Sequence, residues 1–187
     1  MILTETKLKG AFILDLERRE DSRGFFARTF CQREFIQHGL KPMIAQTNVA
    51  FNIKKGTLRG MHFQYPPNAE TKLIRCTRGG IHSIIVDLRP ESPTYLDNVA
   101  VELTEDNGRS IYVPERFANG YQVLEDYTEI SYTMGEFYAP FAESGLRYKD
   151  PQLGLVWPLS IIEISTRDNT WKLLAEIEPE LRRRLAQ

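Results

Sequence analysis

Short runs of alternating apolar and polar residues, cut at near-regular intervals by turn residues, dominate the chain. Thr57–Gln64, Lys72–Thr77, Ile81–Leu88, Val99–Leu103, Ser110–Val113, Tyr121–Leu124 and Glu129–Met134 stand out. A period of two is the mark of strands whose successive side chains point to opposite faces. Gly10–Leu16 and Gln46–Phe51 extend the set. Between the runs stand Lys54-Lys55-Gly56, Arg78-Gly79-Gly80, Arg89-Pro90, Asp106-Asn107-Gly108 and Asn119-Gly120. The last is a strong turn signal, because both residues tolerate positive φ. Turn signals every ~8–12 residues predict an antiparallel sandwich or barrel. Glu17 to Arg23, closed by Gly24, reads as a polar loop before the aromatic-rich Phe25–Phe30. Two helices are expected, Cys31–Leu40 ending at Gly39, and Thr170–Leu185 with Pro179 interrupting it. No repeat, low-complexity tract or Gly/Ser linker divides the chain, so one all-β domain is expected over residues 1–187, with its core at 9–168 and a helical extension at 169–187.

Composition adds mainly exclusions. The 187 residues are 42% hydrophobic and 26% charged, which is ordinary globular composition and argues against disorder. Lys and Arg number 24 against 25 Asp and Glu, a net charge of −1, so neither nucleic acid nor an anionic membrane is expected as a partner. No apolar run approaches the ~20 residues that span a bilayer. Met1 to Gly10 carries Glu5, Lys7 and Lys9 and lacks the apolar core of a signal peptide, so the cytoplasm is the expected location. Cys31 and Cys76 cannot build a disulfide scaffold or a Cys-rich zinc site, and both are expected to act as small hydrophobes.

Three strand residues could carry chemistry. Alternation places Leu58, Gly60, His62 and Gln64 on one face and Arg59, Met61 and Phe63 on the other. A histidine beside a glycine on an inner face leaves room for a ligand, although a hydrogen-bonded core histidine satisfies the same pattern. Lys72 alternates with Ile74 and Cys76, which turns an ammonium toward the interior unless it snorkels to water. Tyr132 lies between Ile130 and Met134 on an apolar face, where a packed core tyrosine is the plain alternative. Together they supply a base, an electrophilic cation and a proton donor, the parts needed to remove and return a proton α to a carbonyl. Arg23 or Arg59 could clamp a phosphate, whereas Arg182-Arg183-Arg184 reads as a solvated helix end. A metal site would need three or four converging ligands; Gln64 follows His62 where a second histidine would serve, and His38 and His82 lie on other elements, so no metal is expected.

Several segments carry a resemblance. Ser22-Arg-Gly-Phe-Phe26, Thr57-Leu-Arg-Gly-Met-His-Phe-Gln64, Thr71-Lys-Leu-Ile-Arg75, Val86-Asp-Leu-Arg89, Ser92-Pro-Thr-Tyr95, Val113-Pro-Glu-Arg-Phe-Ala-Asn-Gly120, Phe137-Tyr-Ala-Pro140 and Gly154-Leu-Val-Trp-Pro158 occur in order. As a set they resemble the dTDP-4-dehydrorhamnose 3,5-epimerase family. The resemblance implies a cupin-type jelly roll without metal or other cofactor, usually a homodimer. It implies inversion of one or two carbons flanking the C4 ketone of a nucleotide-linked 4-keto-6-deoxy sugar. Carried over by position, His62 would be the base, Asp168 the carboxylate that orients it, Lys72 the cation facing the enolate oxygen and Tyr132 the acid on the opposite face. Arg23, Gln46, Asn48, Arg59, Glu143 and Arg167 fall at nucleotide-sugar contact positions, and Tyr138 where a ring stacks on the base.

Three positions depart from the pattern. Asn119 stands where a histidine is usual, Ser83 where an aspartate is common, and Arg28 where a glutamate usually meets the nucleotide base. These leave open a single inversion at C3 or C5 and a cytidine- or guanosine-linked substrate. A ketoisomerase using the same base and a non-catalytic nucleotide-sugar binding protein also remain open.

Overall fold

The computed structural model describes residues 1–186. β1 (Ile2–Glu5) and β2 (Phe12–Asp15) form a hairpin, followed by a separate ribbon of β3 (Arg19–Asp21) and β4 (Gly24–Phe26) and by α1 (Gln32–Gln37). β5 (Gln46–Asn52), β6 (Thr57–Gln64), β7 (Lys72–Arg78), β8 (Gly80–Asp87), β9 (Asn98–Thr104), β10 (Ser110–Val113), β11 (Phe117–Val123) and β12 (Thr128–Met134) build the body. β13 (Glu143–Gly145), β14 (Glu163–Ile164), α2 (Thr166–Thr170) and α3 (Leu174–Leu185) follow.

One sheet runs β1-β2-β10-β7-β12-β5 and the other β13-β6-β11-β8-β9, with β14 joining β6 in parallel. From β5 to β8, and again from β9 to β13, each strand lies in the sheet opposite its predecessor. This alternation makes a jelly roll, the expected all-β architecture with short peripheral helices.

The inner faces meet in a core that includes Ile74, Cys76 and Ile130 from one sheet and Ile81, Ile85, Phe117 and Val123 from the other. β8 is covered on its outer face too, where Ile84 and Val86 pack with Met61, Phe63 and the α3 residues Leu174, Leu181 and Leu185. A strand buried on both faces needs apolar residues at consecutive positions, hence Ile84-Ile85-Val86. The outer face of the first sheet is closed by α1, where Phe35 packs on Phe12, Leu14 and Tyr112.

Three local expectations change, and one strand is additional. Asn119-Gly120 is not a turn but the middle of β11, which begins at Phe117 rather than Tyr121. Gly120 serves close approach instead: a Cβ there would lie 2.6 Å from Met61 Sδ and 3.0 Å from the Arg59 carbonyl oxygen. Glu17 to Arg23 is not all loop, because Arg19–Asp21 pairs with Gly24–Phe26. Residues 2–5 form a strand that the alternation did not announce, paired with β2 in a hairpin (Leu3 opposite Leu14). Pro179 lies inside α3 without interrupting it. Three fully buried leucines at ~1.5–3 kcal/mol each outweigh the ~3 kcal/mol that an interior proline costs a helix.

Candidate active site

A cavity of 420 Å³ opens between the sheets. Gln46 and Asn48 (β5), Lys72 and Ile74 (β7) and Tyr132 and Met134 (β12) line one wall; Arg59 and His62 (β6) and Asn119 and Tyr121 (β11) line the other. Arg59 and His62 share a wall although strict alternation puts them on opposite faces. The reason is a slip in register, since Asn119 faces His62 while Tyr121 faces Arg59, two residues spanning three.

His62 Nε2 lies 2.7 Å from Asp168 Oδ1. The other carboxylate oxygen accepts the Gly60 backbone N–H at 3.1 Å. Asp168 sits in the first turn of α2, where its own N–H donates to the N-cap Ser165 Oγ at 3.0 Å. Burial pushes the Asp168 carboxyl up, but the His62 and Gly60 hydrogen bonds and the Arg167 charge outweigh it and hold it below the ordinary carboxylate range. The ionised carboxylate fixes an Nε2–H tautomer, which leaves the His62 Nδ1 lone pair as the basic site.

Lys72 Nζ donates to Asn119 Oδ1 at 2.7 Å across the cavity and pairs with Glu70 Oε1 at 2.9 Å. Both members of the ion pair are largely withdrawn from solvent, with side chains 12% and 4% exposed. Two of the three ammonium protons are thus engaged, and one is left for a further acceptor. Tyr132 faces His62 from the opposite sheet, because β12 and β6 belong to different layers. Burial raises the Tyr132 hydroxyl above its ordinary value against the opposing Arg59 charge, so it holds its proton at neutral pH.

The mouth is braced by hydrogen bonds. The Tyr138 hydroxyl and Arg167 Nη1 both donate to Glu143 Oε2 at 2.7 Å, and Gln46 Oε1 accepts the Tyr138 N–H at 2.5 Å. Arg59 Nε donates to Asn52 Oδ1 at 2.9 Å, and its Nη2 to the Phe51 carbonyl at 3.5 Å. Asn48 Nδ2 contacts Met134 Sδ at 3.5 Å. Gln64 Nε2 donates to the carbonyls of Asn68 and Phe137, at 2.8 and 3.2 Å, tying two loops to the strand end.

His62, Tyr132, Lys72, Gln46, Asn48, Arg59, Asn119, Tyr138, Glu143 and Arg167 therefore converge on one cavity, with Asp168 directly behind His62. Arg23 and Arg28 do not join them. Arg23 is 88% exposed on the separate ribbon and pairs with Asp21, and Arg28 pairs with Glu34 at 2.8 Å. Ser83 lies buried between the sheets, off the cavity, with its hydroxyl unpaired among the described residues. Sequence reasoning missed Glu70, Gln64 and Tyr121. Glu70 had a signal, for it stands two residues before Lys72 and so shares its face. Among the described residues no three His, Cys, Asp or Glu side chains gather as a metal-ligating group.

The chain matches a family model described as dTDP-4-dehydrorhamnose 3,5-epimerase over residues 5–176. It is 38% identical over 175 residues to the dTDP-4-dehydrorhamnose 3,5-epimerase of Methanothermobacter thermautotrophicus, covering 92% of this chain and 94% of the relative. It is 31% identical to the dTDP-4-dehydrorhamnose 3-epimerase of Streptomyces niveus, covering 94% and 85%. A crystal structure of dTDP-6-deoxy-D-glucose-3,5-epimerase from Legionella pneumophila, in complex with dTDP-4-keto-L-rhamnose, superposes with a TM-score of 0.89 at 32% identity, covering 96% of each chain.

Proposed function

The chain belongs to the dTDP-4-dehydrorhamnose 3,5-epimerase family, and from that premise we propose that its cavity epimerises a dTDP-linked 4-keto-6-deoxy sugar at C3, C5 or both. Family membership makes it an isomerase acting on a nucleotide sugar, and the opposed placement of His62 and Tyr132 carries the mechanism. Nδ1 of His62 takes the proton from a carbon next to the C4 ketone. The electron pair moves onto the ketone oxygen, where the free Lys72 N–H meets the developing charge. Tyr132 then delivers its phenolic proton to the same carbon from the opposite face. The configuration inverts, the ketone re-forms, and solvent returns the proton balance by taking one from His62 and restoring one to Tyr132. Asp168 holds the imidazole and stabilises its cationic form between the two steps.

Arg59 and Arg167 at the mouth are the phosphate clamps in this reading, and the exposed Tyr138 ring is the platform for the base. The homodimer that the resemblance implies would use β5, an unpaired sheet edge whose outward Val49 and Phe51 are exposed. Arg23 and Arg28, remote from their own cavity beside exposed Phe25 and Phe26, would then contact nucleotide bound to the partner subunit. Light scattering on the purified protein tests the dimer. Among the described residues no helix is long and apolar enough to cross a membrane, and the proposed location is the cytoplasm.

A single inversion is the second reading, favoured by Asn119, which presents to Lys72 an amide that neither gains nor gives up a proton near neutral pH. One experiment decides between them. Incubated with the dTDP-linked 4-keto sugar in D2O and followed by NMR, the enzyme should introduce deuterium at C3, C5 or both, with inversion. Exchange at one carbon alone supports the single inversion, and absence of exchange at both carbons refutes the epimerase reading.

A further inference from the structure

We propose that Glu70 is a specificity-determining residue that accepts a hydrogen bond from the hydroxyl on the carbon next to the sugar ketone; this rests on reading the cavity as a 4-keto-sugar site. Glu70 lines the cavity and its side chain is 4% exposed. Oε1 pairs with Lys72 Nζ at 2.9 Å, while Oε2 is buried with no hydrogen-bond partner among the described residues. Asn119 does not supply one, because its amide turns oxygen-first toward Lys72.

A carboxylate oxygen withdrawn from water without a donor is costly, and buried polar atoms are almost always satisfied. Neutralising the ammonium does not require the second oxygen, so Oε2 is left over for something that enters the cavity. The two oxygens of a carboxylate are adjacent. With the ketone oxygen on Lys72 Nζ, a donor to Oε2 must stand one substituent away along the ring. The ketone of a 4-keto-6-deoxy sugar has two neighbours, C3 bearing a hydroxyl and C5 bearing a methyl. A carboxylate accepts from the hydroxyl and offers nothing to the methyl, so Glu70 would also set which way round the ring enters.

The carboxylate is well held for this task. The loop from β6 to β7 that ends in Glu70 is fastened by Gln64 Nε2 on the Asn68 carbonyl, and at its exit by the Gly135 N–H on the Thr71 carbonyl at 2.9 Å.

The test compares wild type, Glu70→Gln and Glu70→Asp on the dTDP-linked 4-keto-6-deoxy sugar and on its analogue lacking the C3 hydroxyl. Deuterium entry beside the ketone is read by NMR. Wild type should favour the hydroxylated sugar by ~100-fold in kcat/KM, since a site built to bond a hydroxyl rejects the analogue without it. In Glu70→Gln the amide keeps its oxygen on Lys72 and turns a donor to the cavity. The hydroxylated sugar should then lose ~100-fold more than the analogue, beyond the loss that removing the Lys72 counter-charge imposes on both, and the preference collapses. Glu70→Asp, which keeps the charge but retracts it by one methylene, should lose the preference as well. Equal losses on both substrates would show that Glu70 serves Lys72 alone and overturn the proposal. No loss on either, or a wild type that accepts the analogue equally, overturns it too. A wild type that exchanges neither compound defeats the epimerase reading itself, and that outcome is visible before any variant is made.

Discussion

Replacing Asp168 by Asn tests the proton path at its most constrained point. The carboxylate accepts from both His62 and the Gly60 backbone N–H, and the latter cannot turn away. An amide in this place must keep its oxygen on Gly60 and present its NH2 to Nε2. Nε2 then becomes the acceptor and the imidazole proton moves to Nδ1, the atom that must take the substrate proton. The electrostatic loss adds to this. Opposite charges ~4 Å apart attract by ~4 kcal/mol at an effective dielectric of ~20. His62 is a quarter exposed, which trims the figure to ~3 kcal/mol, or ~100-fold in rate. With the wrong tautomer included, deuterium exchange and inversion should both fall by roughly 10³- to 10⁴-fold, close to the loss that an Asp→Asn change brings to an Asp–His pair in acyl transfer. The Ser165 cap bonds the backbone of residue 168 and is retained, so the fold should persist, as thermal melting will show. ¹⁵N NMR of the labelled imidazole reads the tautomer directly. An Asp168→Asn enzyme within ~10-fold of wild type, or one still protonated at Nε2, would refute the reasoning.

Tyr132→Phe separates the two proton transfers: inversion should fall by ~10²-fold or more while deuterium still enters at the carbon facing His62, and NMR that finds inversion intact removes Tyr132 as the acid. Lys72→Met leaves Glu70 buried without its counter-charge and should lower stability by ~3 kcal/mol in urea unfolding, while adding Glu70→Gln should restore most of it; additive losses would deny the pairing. Asp87, fully buried, accepts from Arg89 Nη2 at 2.7 Å, Ser92 Oγ at 2.6 Å and Thr94 Oγ1 at 2.8 Å, so Asp87→Ala should cost ~3 kcal/mol. Burial pushes the Asp87 carboxyl up, but those hydrogen bonds outweigh it and leave it below its ordinary value. Its stabilisation is therefore complete above the unfolded value of ~3.9 and lost as pH falls through the lower folded one, so the acid limb of wild-type stability should flatten in Asp87→Ala.

The chain by itself determined most of the strands, the resemblance and which residues are proposed as the reacting groups. A period of two is a local property, visible in Ser110–Val113 or Thr57–Gln64 without knowing what either strand pairs with. His62, Lys72 and Tyr132 were legible because each breaks the apolar pattern of an inward face. What the chain could not declare was everything set by partners distant in sequence. Asn119-Gly120 has turn chemistry, but packing against Gly60 and Met61 makes it strand interior. Residues 2–5 became a strand because β2 offered a free edge, and Pro179 was absorbed because α3 buries three leucines on the sheet. Arg23 resembles a cavity residue by position and lies outside its own cavity. The Glu70–Lys72 pair is local, but Asn119 reaches Lys72 only because the two sheets pack face to face. Residue type and alternation are written along the chain, whereas a counter-charge, a tautomer or a close backbone contact depends on which segments fold against one another.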